Sequence, residues 1–290
     1  MKKIWNTWYL YDHGNADHLL KEIVYPSLRN IEEKLEKEVK FFFIRYFENG
    51  FHIRLRLLLS DDESAVFFSV LKDQISEYEK HHGVTLTLKE AVYIRETERY
   101  GNEDTISFAE SQFDASSRFV LHHLMENSSL TASERYLLAL KTHFVFFKGM
   151  RLSRIYSQDL CDQFIQSWLP LPFTKDAGEE EQNRKGILSA FQKQFEVCQT
   201  LLYESISEFW TSLDTTTDPF TVQFLKANHE VWKEYTQSPL SEHDLNEALL
   251  SFIHMTNNRL GIINSEESYL LFLMKQTISL IQNYDNQPGT

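Results

Sequence analysis

Cysteine and long apolar runs are both scarce in this sequence, and each shortage excludes a class of protein. Only Cys161 and Cys198 occur among 290 residues, without C-x-x-C spacing, which excludes a disulfide framework and favours two reduced, buried thiols. No window approaches the about 18 apolar residues of a membrane span. Residues 1–14 also lack the unbroken apolar stretch of a signal peptide. We therefore expect a cytoplasmic protein that does not contact membranes.

Glycine-rich and metal-binding motifs are missing as well. The nine glycines form no G-x-G-x-x-G or G-x-x-x-x-G-K pattern, which excludes the standard nucleotide cradles, and there is no G-x-S-x-G nucleophile elbow. The adjacent pairs His81-His82 and His122-His123 have no third ligand at metal-site spacing. The sequence therefore predicts neither a metal centre nor a cofactor.

Positive charge is the third deficit. The chain has 29 Lys and Arg against 42 Asp and Glu, a formal net charge of −13. Such an excess of acid repels phosphate backbones and anionic membranes, so we expect no direct binding to nucleic acid. The apolar content of 42% is that of an ordinary globular protein. Any anion that this chain binds must therefore meet a local cluster of positive charge.

Short strand-like segments occur early in the chain and helical segments occur late. Alternation predicts strands at 4–11, at 40–60 as a hairpin around Asn49-Gly50, and at 85–94 as one or two more. Apolar periodicity predicts helices at 17–37, 61–78, 105–125, 131–147, 153–168, 185–212, 219–235, 241–259 and 265–284. The polar segment 170–184 is predicted to be a mobile surface loop. The pattern indicates an α+β fold, with N-terminal antiparallel strands and a hairpin packed with a large helical part.

Half of the 12 arginines lie in three short segments: Arg45, Arg54, Arg56, Arg95, Arg99 and Arg259. On the strand at 51–59, alternation directs His52, Arg54 and Arg56 to one face and apolar residues to the other. Cations two residues apart repel each other, so a covered face of this kind requires carboxylates or a bound anion. The alternative is a solvated edge whose charges prevent aggregation.

The other two segments add polar groups that suit a binding site. Residues 93–101 contain Glu96 and Arg99, which form either a surface ion pair or the wall of a site in which the glutamate orients the guanidinium. On the predicted helix at 241–259, Ser251, His254 and Asn258 share one face because they are three and four residues apart. A helical histidine among apolar residues is either a core residue or a proton-transfer group.

Together the three segments resemble the C-terminal domain of lantibiotic dehydratases, a domain that is also found as a free-standing protein in thiopeptide biosynthesis. The motifs that carry the resemblance are Arg45-Tyr46, His52-x-Arg54-x-Arg56, Glu96-x-x-Arg99-Tyr100-Gly101, Glu110 with Phe113, and His254-Met255 with Asn258-Arg259-Leu260. The resemblance implies a single domain over 1–290. It also implies that the chain eliminates glutamate from glutamylated serine or threonine of a precursor peptide, leaving dehydroalanine or dehydrobutyrine.

The resemblance also implies roles for individual residues. It places His254, Arg99 and Glu96 among the catalytic residues: His254 as acid and base, and Glu96 holding Arg99 against the ester or enolate oxygen. Arg54 and Arg56 are expected on the glutamyl group, since guanidinium forks bind carboxylates. Arg45, His52 and Arg259 are expected to support them. The partners implied are the modified precursor peptide and a separate tRNA-dependent glutamylating subunit.

Two other functions remain open from the sequence. The related pyridine synthases join two dehydroalanines by a formal [4+2] cycloaddition and release the leader peptide. The chain retains the five positions that the resemblance assigns to elimination: Arg54, Arg56, Glu96, Arg99 and His254. Their retention favours elimination, because a cycloaddition has no glutamyl carboxylate to bind. The third alternative is a peptide-binding subunit without catalysis, since fold alone does not establish activity.

Overall fold

The structure is a computed structural model that describes residues 2–12, 16–127 and 129–281. The chain groups into two compact units, and the single domain over 1–290 stays a prediction. The first unit contains Met1–Leu130 and Glu234–Gly261, and the second contains Thr131–Lys233 and Ile262–Thr290. All three arginine-bearing segments belong to the first unit.

The first unit is built on a four-stranded antiparallel sheet. Its strands are β1 (Ile4–Tyr11), β2 (Phe41–Tyr46), β3 (His52–Leu59) and β4 (Thr87–Val92), in the order β2-β3-β1-β4. The predicted hairpin joins β2 to β3, and Asn49 and Gly50 have φ angles of 58° and 101°, the positive values that a tight turn requires. Of the one or two strands predicted in 85–94, one forms.

The helices follow the predicted periodicity closely. In chain order they are α1 (Ala16–Leu19), α2 (Tyr25–Leu35), α3 (Asp61–His82), α4 (Ile106–Glu126), α5 (Ala132–Gly149), α6 (Arg154–Trp168), α7 (Ala177–Ser212), α8 (Pro219–Gln237), α9 (Glu242–Leu260) and α10 (Asn264–Leu280). A π-helical turn at Leu20–Val24 joins α1 to α2. Pro26 lies in the first turn of α2, directly after this π-helical turn. The α+β class predicted from the sequence is confirmed.

The predicted loop at 170–184 is too long. Helix α7 already begins at Ala177, because the Asp176 side chain accepts hydrogen bonds from the N–H groups of Gly178 and Glu179. Acidic residues in the first helical turn also interact favourably with the helix dipole. The second half of the acidic segment is therefore helical, and apolar periodicity did not reveal it.

In the second unit, α10 packs against α5, α6 and α7. Among the residues described by the structure, none of the helices combines the length and apolar character needed to cross a bilayer.

The outer edge of β2 is covered by side chains from two helices of the first unit. The Phe41 N–H donates to Asp114 of α4 at 3.0 Å, and the Phe43 N–H donates to Ser117 at 3.3 Å. On α9, the Asn258 amide bonds both the N–H and the carbonyl of Arg45, each at 2.8 Å. These bonds satisfy the edge of the sheet and place the polar face of α9 beside it.

Candidate active site

The predicted alternation on β3 is present. Ile53, Leu55 and Leu57 are completely buried on one side of the sheet. Arg54 and Arg56 lie on the other side, where they line a cavity of about 230 Å³. The solvated-edge interpretation of these arginines is wrong, because β3 lies between β2 and β1 and is not an edge strand.

The cavity brings the three arginine-bearing segments together. We call it the arginine cavity, and it is lined by Phe42, Ile44, Tyr46, Arg54, Arg56, Tyr93, Glu96, Arg99, Tyr100, Phe113, His254, Met255, Asn258 and Arg259. Its volume is below the about 300–1,000 Å³ of sites for drug-sized ligands. The cavity suits a small group rather than a whole peptide.

Arg54 is held over aromatic rings by a buried histidine. Its guanidinium carbon lies 3.4 Å from the Tyr46 ring centroid and 4.8 Å from that of Tyr9. Its Nε donates to His52 Nε2 at 3.1 Å, and His52 Nδ1 lies 2.9 Å from the Gly50 carbonyl oxygen. These partners fit a neutral ring with its proton on Nδ1, and burial lowers the His52 pKa from its usual value. His52 therefore positions Arg54 from behind and does not line the cavity.

Arg56 and Arg259 are buried cations without sufficient partners. The Nε of Arg56 has no hydrogen-bond partner among the described residues, and neither does any of the three guanidinium nitrogens of Arg259. Arg259 is completely buried, and burial lowers its pKa to about 10. It therefore remains protonated at neutral pH. Burying an unpaired charge is unfavourable, so the two guanidinium groups favour an anion in this part of the cavity.

Arg99 is anchored on both sides. Its Nη1 lies 3.3 Å from Glu96 Oε2, and its Nε donates to Ser251 Oγ of α9 at 2.9 Å. The predicted Glu96–Arg99 pair therefore exists at the cavity wall, with the Glu96 side chain 65% exposed. The 3₁₀ turn Thr97–Tyr100 that carries Arg99 ends at Gly101 with φ of 100°, where a Cβ atom would lie 2.6 Å from Thr105 Oγ1. Only glycine fits there.

Two arginines of the cluster lie outside the cavity. Arg45 points to the opposite side of β2 from Ile44 and Tyr46, since its register partner is Ile53. Its guanidinium donates to the Arg259 carbonyl at 3.0 Å and forms an ion pair with Asp17 at 2.6 Å. The structure thus places Arg45 as a brace for α9 rather than at the surface of the cavity.

Arg95 forms a forked pair with Glu110 of α4, at 2.8 and 3.0 Å. Its charge is therefore neutralised within the protein. Of the sequence-predicted site residues, the structure brings Arg54, Arg56, Glu96, Arg99, His254 and Arg259 to the cavity wall.

Sequence reasoning missed the aromatic walls. Tyr46 and Phe42 alternate on β2 toward the same face as the arginines, a signal that the strand pattern contains. Tyr93 follows β4 directly, and its ring centroid lies 4.7 Å from the Arg56 guanidinium carbon. Burial raises its pKa well above the usual value, and burial raises that of Tyr100 to about 12. Both phenols are therefore neutral donors at physiological pH.

The histidine pair on α4 has a neighbour that the sequence spacing did not reveal. Glu126 Oε1 lies 3.3 Å from His122 Nε2, and Oε2 lies 3.5 Å from His123 Nδ1. These three groups are the one set of potential metal ligands found among the described residues. The distances are those of histidine–carboxylate ion pairs, and the prediction of no metal centre stays a prediction.

The solved structures that share the fold of this chain include MibB, TbtD and TsrL. The tRNA-dependent lantibiotic dehydratase MibB from Microbispora sp. 107891 is 18% identical, with a TM-score of 0.69 over 95% of this chain and 28% of that chain. The pyridine synthase TbtD from thiomuracin biosynthesis is 12% identical, with a TM-score of 0.69 over 95% of this chain and 97% of that one. TsrL is 12% identical, with a TM-score of 0.64 over the full length of both chains. At these identities the likeness shows the fold alone.

Family membership rests on the sequence. No curated protein sequence matches the chain. The family model for the lantibiotic biosynthesis dehydratase C-terminal region matches residues 5–278. This match supports a role in lantibiotic biosynthesis. Because the match covers nearly the whole chain, the protein belongs to the lantibiotic biosynthesis dehydratase C-terminal family.

Proposed function

We propose that this chain eliminates glutamate from glutamylated serine or threonine residues of a precursor peptide. The observation that carries the proposal is a pair of buried guanidinium groups. Among the described residues, Nε of Arg56 and all three guanidinium nitrogens of Arg259 have no hydrogen-bond partner. A glutamyl leaving group brings a carboxylate into the cavity and releases a second one as its ester bond to the peptide breaks. Guanidinium forks are the donors that bind carboxylates best.

The reaction is a β-elimination. A base removes the Cα proton of the modified residue, its electron pair forms the Cα=Cβ double bond, and the Cβ–O bond breaks. That second electron pair leaves with glutamate as a carboxylate. We assign the proton transfer to His254, which lines the cavity from α9, because imidazole exchanges protons near neutral pH.

The remaining roles follow from position. Arg54, Arg56 and Arg259 bind the glutamyl group. Arg99, fixed by Glu96 and Ser251, faces the oxygen that gains charge when the Cα proton leaves. A donor held in place before the reaction stabilises that charge without reorganisation.

The partners follow from the same chemistry. The substrate is a precursor peptide that already carries the glutamyl ester, so a tRNA-dependent glutamylating protein acts first. This chain spans 28% of the length of MibB. In this proposal, a separate subunit supplies the glutamylating activity.

A cycloaddition is the second candidate, because the chain matches TbtD over 97% of that protein's length. Two dehydroalanines offer no carboxylate to Arg56 and Arg259, which is why elimination is preferred. A peptide-binding subunit without catalysis is the remaining alternative.

Mass spectrometry on two substrates separates the three candidates. We expect the pure chain to release glutamate from a glutamylated peptide, and His254→Ala to be about 10²–10⁴-fold slower. The matched control is His243→Ala, an exposed histidine on the same helix, which should keep the wild-type rate. Equal rates for His254→Ala and wild type would contradict the assignment of the base.

The second substrate is a peptide that contains dehydroalanines. Macrocycle formation with leader release would replace the elimination proposal by cycloaddition. If neither substrate changes, the chain is a binding subunit.

A further inference from the structure

The two edges of the sheet differ in how their peptide groups are satisfied. On β2, side chains of α4 and α9 bond the outward N–H groups of Phe41, Phe43 and Arg45. On β4, at the opposite edge, β1 is the neighbouring strand. No hydrogen bond to its outer side occurs within the described ranges. Open edges recruit further strands, and proteins normally cover or blunt them.

The pairing register identifies the open groups. The Leu58 N–H of β3 donates to the Lys40 carbonyl, just before β2. In an antiparallel sheet, the backbone groups of successive residues point alternately to the two neighbouring strands. The even-numbered residues of β3 therefore form their backbone hydrogen bonds with β2, and the odd-numbered residues form theirs with β1. Following the register across β1, the residues of β4 whose N–H and C=O groups point outward are Leu88, Glu90 and Val92. A peptide laid alongside them would gain backbone hydrogen bonds.

The end of this edge also carries exposed apolar side chains. Val92 is 82% exposed and Ile94 is 81% exposed. Ile4 of β1 is half exposed. It lies near this end of β4, because Asn6, two residues later on β1, pairs with Val92. Scattered apolar residues on a surface are ordinary. Three of them at an open edge form a surface that suits alternate side chains of an added strand.

The open edge runs directly into the arginine cavity. Tyr93, the residue after β4, lines the cavity, and Glu96 follows three residues later. We infer that a flanking segment of the substrate peptide adds to β4 as a fifth strand and thereby delivers the modified residue to the cavity. This inference rests on the proposed function for the identity of its occupant. The backbone would supply affinity that tolerates different sequences.

Strand spacing defines how far the docked segment lies from the reaction. A fifth strand lies three spacings from β3, about 14 Å at about 4.8 Å each. At about 3.3 Å per residue, four or five residues cover that distance. The glutamylated residue should therefore be separated from the docked segment by at least about four residues.

Two synthetic substrates test the inference kinetically. The long one has six alternating valine and threonine residues, a four-residue glycine-serine spacer and a glutamylated serine, and the short one has only the glutamylated serine with blocked termini. Glu90→Pro removes one outward N–H group, which β1 does not use, and Glu90→Ala keeps it. For each variant, the KM of the long substrate is divided by the KM of the short one. We expect this ratio to be at least tenfold higher in Glu90→Pro than in Glu90→Ala. An equal ratio in the two variants would overturn the inference.

A direct binding measurement keeps the test independent of catalysis and of any misfolding of the proline variant. Hydrogen exchange by NMR is followed on the wild-type chain with an unglutamylated long peptide. We expect the amides of Leu88, Glu90 and Val92 to gain protection. The same peptide N-methylated at alternate residues along one edge should give none.

The two proposals fail in different ways. Protection at β4 without release of glutamate from any peptide would reject the elimination reaction and keep the docking edge. Release of glutamate without protection at β4 would reject the docking edge and keep the reaction.

Discussion

At the scale of single residues, burial and pairing separate the arginines into two groups. Arg118 is held by Asp114 and Glu32 at 3.1 and 3.0 Å, so its buried charge is compensated within the protein. Among the described residues, Arg56 lacks a partner on Nε, and Arg259 lacks one on all three guanidinium nitrogens. Uncompensated cations at the cavity lower the stability of the folded state, and a bound anion would restore it.

Replacing Arg259 by methionine should therefore separate stability from activity. We expect Arg259→Met to raise the free energy of unfolding by about 1–3 kcal/mol, because an unpaired buried charge is removed. Release of glutamate should fall at least about 100-fold, because the carboxylate loses a buried partner. Urea unfolding and mass spectrometry measure the two effects.

Arg118→Met is the matched control for this experiment. It leaves the carboxylates of Asp114 and Glu32 without their cation, so we expect a loss of about 3 kcal/mol of stability. If both variants lose stability equally, Arg259 is compensated in a way that contradicts the anion site.

Some residue roles were predictable and others were not. The alternation of Arg54 and Arg56 against Leu55 follows from strand geometry alone. The placement of Arg45 away from the cavity depends on which side of β2 faces that cavity. That choice is made by packing between segments more than 200 residues apart, as the bonds from Arg45 to Asn258 and Arg259 show.

At the scale of elements, Asn258 joins α9 to the edge of β2. Asn258→Ala leaves the Arg45 N–H and C=O groups without these bonds. We expect it to lower the free energy of unfolding by about 1–3 kcal/mol and to slow glutamate release, since His254 lies on the same helix. Glu247→Ala, an exposed change on α9, should change neither quantity. Thermal unfolding and single-turnover kinetics provide the test, and full activity in Asn258→Ala would contradict the role of this link.

The start of α3 carries a pH-dependent cap. Glu63 forms an ion pair with Lys37 and accepts the Ser60 N–H at 2.9 Å. The hydrogen bond from Lys37 is the main cause that lowers its pKa from 4.5 to about 2, followed by the bond from Ser60. A carboxylate whose pKa is lowered by folding stabilises the folded state at pH values above its ordinary pKa. This stabilisation is lost as the pH falls from about 4.5 towards 2.

Glu63→Gln should remove this dependence. We expect the stability advantage of wild type over Glu63→Gln in urea unfolding to shrink between pH 5 and pH 3. Asp62→Asn, at an exposed neighbouring position, should follow the wild-type trend. An advantage that stays constant with pH would contradict the capping role of Glu63.

Some boundaries of helices and strands can be predicted from the local sequence and others cannot. Caps such as Ser60 for α3 and Thr131 for α5 are local, so those helix starts are readable from the sequence. The exposed strand β4 has a weak alternation, and its pairing with β1 depends on residues about 80 positions away.

At the scale of the whole molecule, the charge of −13 makes a prediction about partners. We expect the isolated 290-residue chain to show no retention of tRNA in a filter-binding assay at 50–100 mM salt, because its surface repels the phosphate backbone. Glutamylated peptide should appear only when a separate glutamylating protein is added. Salt-sensitive retention of tRNA by this chain alone would contradict both expectations.

The sequence alone determined the α+β class, most helix positions, the polar face of β3 and the resemblance that the family match later confirmed, because those properties depend on local periodicity and motif spacing. Only the tertiary structure decided which cations share a cavity. Arg259 and Arg56 are about 200 positions apart, and their burial, missing partners and shared cavity depend on how α9 packs on the sheet. Local sequence patterns carry no information about such long-range packing, so only the structure shows which arginines lie together in one site.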